Sequence, residues 1–185
     1  GIKGQKWGVR RFQNTDGSLT AKGKKRYLDQ DGALTSAGKR TMNKLNELDQ
    51  YDNYARGVRR QTLANIEKFS KGKDPVSKLL TKTNTMHLSA MDKAIARNDA
   101  NVKRLINDLK DQKVDVVLRY NPYYDKLYYK QSDKQQMAAK DAKLYRKEGI
   151  RITRDEDYRI TNVKAENANK KTIKRVNKIA TRGYY

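Results

Sequence analysis

The chain contains no cysteine, one histidine, one tryptophan, two phenylalanines and two prolines in 185 residues. Without cysteine there is no disulfide, no thiolate nucleophile and no Cys-based zinc site. The lone histidine, His87, falls near the seam of an expected helix. A histidine acts as a base only beside oriented partners, so His87 reads as structural or solvated. No G-x-x-x-x-G-K-[ST] run is present, and Gly1, Gly4 and Gly8 do not follow a strand, so neither nucleotide fingerprint applies. The acidic cluster Asp155, Glu156, Asp157 lacks the spacing of a calcium loop and sits where a turn favours Asp. These absences leave no catalytic residue, metal ligand or cofactor to name, and the expectation is a protein that is not an enzyme.

Long apolar runs are also missing. None approaches the roughly 20 residues of a membrane span, and no signal-peptide core is seen, so no membrane partner is expected. Acidic residues are scarce: 21 Asp and Glu stand against 43 Lys and Arg, a formal charge of +22. Residues 1–41 hold ten basic and three acidic groups, and residues 158–185 hold eight and one. Residues 114–157 are nearly balanced, with ten and eight. Basic ends on a milder body suit contact with a polyanion or an acidic protein face. A mean hydropathy of -1.08 implies little core per residue, which favours multi-copy assembly over a round monomer.

The opening run, Gly1 to Asn14, carries Lys3, Lys6, Arg10 and Arg11 and no acid. Its three glycines discourage helix, so residues 1–35 are expected to form a basic, extended arm. Trp7, Val9 and Phe12 are its apolar anchors for a partner, flanked by Lys3, Lys6, Arg10 and Arg11. Within it, Asp16-Gly17-Ser18-Leu19-Thr20 returns as Asp31-Gly32-Ala33-Leu34-Thr35, and the shared pattern D-G-x-L-T-x-x-G-K repeats at an offset of fifteen residues. Asp-Gly makes a turn, Leu is an anchor, and Thr is suited to cap a helix. The second copy is expected to launch a long helix.

That helix, 36–71, carries Met42, Leu45, Leu48, Ala55, Val58, Thr62, Ile66 and Phe69 at three- and four-residue steps. Asp74-Pro75 opens a second, with the stripe Val76, Leu79, Leu80, Thr83, Met86, Met91, Ile95, Asn98, Val102, Leu105, Leu109. The spacing from Met91 is that of a heptad seam, and a seam Asn such as Asn98 fixes register between helices. Residues 36–113 are therefore expected to form an elongated helical hairpin or part of a small bundle.

Residues 114–162 are mixed. Val114–Leu118 suits a strand or a helix end. Tyr120, Tyr123, Tyr124, Tyr128 and Tyr129 then crowd together. They suit stacking on bases beside Arg119, Lys126 and Lys130, or packing on protein; Asp115, Asp125 and Asp133 favour protein. A third helix is expected at 132–148, ended by Gly149, then a small β-hairpin from Ile150–Thr153 and Tyr158–Thr161. Residues 163–185 read as a basic C-terminal helix. There Ile173, Val176 and Ala180 share one side, and Lys170, Lys171, Lys174, Arg175 and Lys178 form a candidate nucleic-acid-binding face. The expected fold class is mainly α.

The run G-I-K-G-Q-K-W-G-V-R-R-F-Q-N-x-D-G-S-L-T-x-x-G-K-K-R-Y, Gly1 to Tyr27, resembles a segment found in virion proteins of tailed bacteriophages, in head, portal-proximal or minor structural components. The resemblance implies a virion protein, present in the host cytoplasm during assembly, whose arm docks on capsid, portal or neck proteins. An arm that reaches packaged DNA is the other expectation. The segment is often preceded by a histidine, absent here; a Gly start fits cleavage ahead of Gly1 by a maturation protease, or a boundary. The alternative function is a nucleic-acid-binding protein packaged and ejected with the genome.

Overall fold

The computed structural model of the protein describes residues 26–185. Its order is α1 Ser36–Ser70, α2 Pro75–Asp111, β1 Val116–Asn121, β2 Lys126–Gln131, α3 Asp133–Glu148, β3 Ile150–Arg154, β4 Ile160–Ala165 and α4 Lys170–Arg182. The chain is mainly α, with two antiparallel strand pairs in separate sheets. The expected hairpin near the C-terminus is present as β3–β4. A second hairpin, β1–β2, occupies the tyrosine-rich segment. The described chain divides into two units. One is Arg40–Ser132; the other joins the described residues up to Lys39 with Asp133–Tyr185.

In the Arg40–Ser132 unit, α1 and α2 run antiparallel, each about 50 Å long at 1.5 Å per residue. Asp74 starts α2 as its N-cap, accepting the Ser77 N–H at 2.9 Å, with Pro75 in the first turn. The α1 stripe faces inward as its spacing implies: Met42, Leu45, Ala55 and Thr62 are buried, and Leu48, Val58, Ile66 and Phe69 are half-buried. On α2, Ile95, Asn98, Leu105 and Leu109 are buried. The Asn98 amide donates to the Leu48 carbonyl at 2.9 Å, which ties the seam of one helix to the backbone of the other. Ion pairs Arg56–Asp99 at 3.1 Å and Arg59–Asp92 at 2.6 Å flank that seam.

The first half of α2 departs from the expected stripe. Val76, Leu79, Thr83 and Met86 are exposed, while Ser77, Thr81, Asn84 and Leu88 are half-buried. The inward row here is mixed: Leu80 of the expected stripe and Leu88 share it with Ser77, Thr81 and Asn84. Thr81 and Asn84 bond back to carbonyls one turn earlier, and Asn84 also receives the Asn65 amide at 3.5 Å. His87 is exposed on the outer side.

The β1–β2 ribbon pairs from Val116↔Gln131 to Asn121↔Lys126 with no irregularity. It splits the tyrosines. Tyr128 and Tyr129 are half-buried on β2, whereas Tyr120, Tyr123 and Tyr124 stand exposed at the tip. Tyr123 and Tyr124 meet edge to face at 4.7 Å. The Tyr120 hydroxyl donates to Asp125 at 2.7 Å, and that bond raises its pKa.

In the other unit, the second D-G-x-L-T copy forms the expected turn and cap. Asp29 Oδ1 accepts the N–H groups of Asp31 and Ala33, Gly32 takes φ +93, and Leu28 bridges to Leu34. Thr35 then caps α1: its Oγ1 accepts the Gly38 N–H at 3.1 Å and donates to the Arg26 carbonyl at 2.6 Å. The first copy and the expected basic arm, with Lys3, Lys6, Trp7, Val9, Arg10, Arg11 and Phe12, lie outside the described residues.

The core of this unit is Leu144, Ile150 and Ile179, surrounded by Ile152, Ile160, Val163, Ala165, Val176 and Tyr185. β3 supplies alternate residues to it, as a half-buried strand must. Asp155 makes the β3–β4 turn, accepting the Tyr158 N–H on its carbonyl and the Arg159 N–H on its carboxylate. Residues 163–165 belong to β4, so the last helix begins at Lys170 rather than 163. Asn169 sets that start, accepting the Lys171 and Thr172 N–H groups in a capping box with Thr172.

Candidate nucleic-acid interface

The basic helix α4 is anchored by a residue outside the expected apolar side. Ile179 is fully buried and Val176 half-buried, whereas Ile173 is 48% exposed and Ala180 is exposed. The hydrophobic contact is therefore narrow, and the wide remainder of the helix is free to carry charge.

Lys170, Lys171, Lys174 and Lys178 are exposed on that remainder, and Arg175 is half-buried. Lys171, Lys174, Arg175 and Lys178 line one groove of about 860 Å³ with Lys147, Glu148, Asn167 and Asn169. Lys170 lies at the start of the helix, off the groove lining. A second groove of about 320 Å³ shares Lys147, Glu148 and Arg175 and adds Lys140, Lys143 and Tyr185. The grooves thus gather seven cations, three of them from α3, around one carboxylate. Lys140, Lys143 and Lys147 repeat at three- and four-residue steps on α3, which places them on one face. That spacing is visible in the sequence, but composition by segment hid it, because Asp141 and Glu148 offset the charge.

Arg175 is held by Glu148, with 3.3 Å between Nε and the carboxylate. The Lys171 and Thr172 amides at the start of α4 are taken by Asn169, so the groove offers an anion its side-chain cations rather than these amides. Long lysines around an open groove suit a flexible, repeated anion such as a phosphate backbone, which is recognised by charge with little sequence content.

Arg154 grips Asp141 through two bonds of 2.8 and 3.0 Å and donates to the Tyr158 carbonyl at 2.8 Å. The Tyr185 hydroxyl donates to the same Asp141. Burial and that carboxylate push the Tyr185 phenol well above its ordinary value. Asp141 is thereby engaged inside the unit and does not neutralise the lysines on either side of it. On the far flank of α3, Arg146 holds Asp31 in a two-pronged pair of 2.9 and 2.8 Å, which ties the Thr35 turn to α3.

Among the described residues no group of three or more His, Cys, Asp or Glu is placed to hold a metal ion, and no helix is long and apolar enough to cross a membrane. No protein-family model, curated protein or solved structure matches the chain.

Proposed function

We propose that the protein is a non-enzymatic structural component of a tailed-phage virion, associated with the head, portal or neck. The observation that carries this reading is the opening segment Gly1 to Tyr27, which resembles a segment of such virion proteins. Trp7 and Phe12 serve as apolar anchors on a partner protein, and Lys3, Lys6, Val9, Arg10 and Arg11 complete the contact; interface hot spots favour Trp and Arg. Long helices around a thin core, with Val76, Leu79 and Met86 left exposed, support assembly in several copies. The protein would meet its partners in the host cytoplasm and remain in the virion. Incorporation of a Trp7→Ala chain into particles tests the docking role, read by quantitative mass spectrometry of purified virions. Loss of incorporation is expected. Wild-type incorporation removes the role assigned to the arm.

The seven-cation groove of α3 and α4 favours a second reading, a nucleic-acid-binding protein packaged with the genome. A salt titration of binding to duplex DNA separates the two. Steep loss of affinity with salt supports it, and no binding at low salt excludes it.

A further inference from the structure

The β1–β2 ribbon has one edge closed and one open. The Tyr129 N–H donates to Asn46 Oδ1 and its C=O accepts from the Asn46 amide, so neither group faces β1. Its register partner Leu118 is therefore in a non-hydrogen-bonded pair and turns its own N–H and C=O to the outer edge of β1. By alternation Val116 and Tyr120 do the same. These outward groups have no partner among the described residues. Leu118 and Tyr120 are 47% and 56% exposed. Proteins usually blunt such an edge with proline, charged side chains or a bulge. Val116–Asn121 contains no proline or lysine and its pairing is regular, unlike that of β3–β4; its one charge, Arg119, alternates to the face opposite Val116, Leu118 and Tyr120.

We propose that this edge pairs antiparallel with β1 of a second copy about a two-fold axis at Leu118, joining two hairpins into one four-stranded sheet. The strand is self-complementary in that register. Leu118 meets Leu118 of the second copy and Val116 meets its Tyr120, so all three outward residues exchange hydrogen bonds and their apolar side chains pair on one face. On the other face Arg119 stands opposite Val117 and Asp115 opposite Asn121. No two like charges are directly opposed, so charge permits a second copy where a register opposing Arg119 to Arg119 would not. A centre two residues later would bring Pro122, which has no N–H, opposite Leu118. The assembly also closes at two copies, because Asn46 of each copy blocks the outer edge on β2. A two-stranded ribbon is marginal alone and a four-stranded sheet is not. This inference is independent of the virion reading, since it rests on β1 itself.

The full chain has no cysteine, so Leu118→Cys introduces a single thiol. Hydrogen-bonded antiparallel partners sit about 5.5 Å apart at Cα, within disulfide reach. Mild oxidation should give a covalent dimer of Leu118→Cys but little of Arg119→Cys, whose two copies stand two residues out of register. By sedimentation, Leu118→Lys should halve the wild-type mass while its far-UV circular dichroism is unchanged, since Leu118 is exposed. A wild-type chain that stays at 21.4 kDa at every concentration overturns the inference. So does a Leu118→Lys chain of wild-type mass, or equal cross-linking by both cysteines; a foreign strand on this edge would give the first result.

Discussion

Asn46 stands in for a β-strand beside Tyr129. Its side-chain carbonyl accepts the Tyr129 N–H at 2.7 Å, and its amide donates to the Tyr129 carbonyl at 2.9 Å. A helix residue thereby ends a sheet edge and joins α1 to the ribbon. Asn46→Ala leaves two backbone groups without these partners. We expect a loss of about 1–3 kcal/mol, read as a lower urea midpoint at unchanged slope. A wild-type midpoint would mean that water satisfies Tyr129 equally well.

Two glycines of α1 should respond with opposite sign. A Cβ on Gly38 would lie 2.4 Å from the Tyr27 carbonyl oxygen and 2.9 Å from Leu34, whereas one on Gly57 would meet only the end of Arg60 at 3.8 Å. Gly57→Ala should raise stability by about 1 kcal/mol through helix propensity. Gly38→Ala should lower it by about 1–3 kcal/mol, because backbone must shift. Thermal midpoints of the two variants decide the matter; a shift of the same sign in both would refute the close approach of Tyr27.

The Asp31–Arg146 pair makes part of the stability depend on pH. Hydrogen bonds from Arg146 lower the Asp31 pKa from its ordinary 3.8, against an opposing effect of burial. The folded value is thus below the unfolded one. The contribution is present above the unfolded value and is lost as pH falls through the folded value. Asp31→Asn should therefore be less stable than wild type at neutral pH, and the gap should close below about pH 4. Denaturant titrations at a series of pH values test this; a gap that persists undiminished in acid would assign it to shape rather than charge.

If the α3–α4 groove meets nucleic acid, each lysine that contacts a phosphate contributes to the salt dependence. Lys143→Ala, Lys147→Ala or Lys174→Ala should each lower the slope of log affinity against log salt by about 1. Glu148→Gln should tighten binding, because it removes the one carboxylate of the groove and releases Arg175. Fluorescence anisotropy across a salt series reads both. Unchanged slopes in all three lysine variants would exclude the groove as the contact.

The fold was legible where one residue's chemistry is enough. Asp74-Pro75 opens α2, Gly149 ends α3 with φ +65, and Thr35 caps α1. It was less legible where two faces of a helix are nearly equal in hydropathy. In the first half of α2, Val76, Leu79 and Met86 outrank Ser77, Thr81 and Asn84 as apolar residues, yet the row that holds the latter with Leu80 and Leu88 turns inward, where Asn84 meets Asn65 of α1. On α4 the core takes Ile179 and leaves Ile173 half exposed. Half of the basic groove was readable as Lys171, Lys174, Arg175 and Lys178. Its α3 half, Lys140, Lys143 and Lys147, stands in the sequence as a helical spacing, but Asp141 and Glu148 offset its charge in that segment.

By itself the sequence determined the mainly helical class, the starts of α1 and α2, the end of α3, the presence of a C-terminal hairpin and the excess of positive charge. These depend on local propensity, on spacing and on composition, which act within a few residues. Tertiary structure alone decided which row of α2 faces α1, which carboxylates are engaged by arginines, and which edge of β1–β2 is open. Those outcomes depend on hydrogen-bond partners distant in the chain, such as Asn46 for Tyr129 and Arg154 for Asp141, and on the packing that brings each pair together.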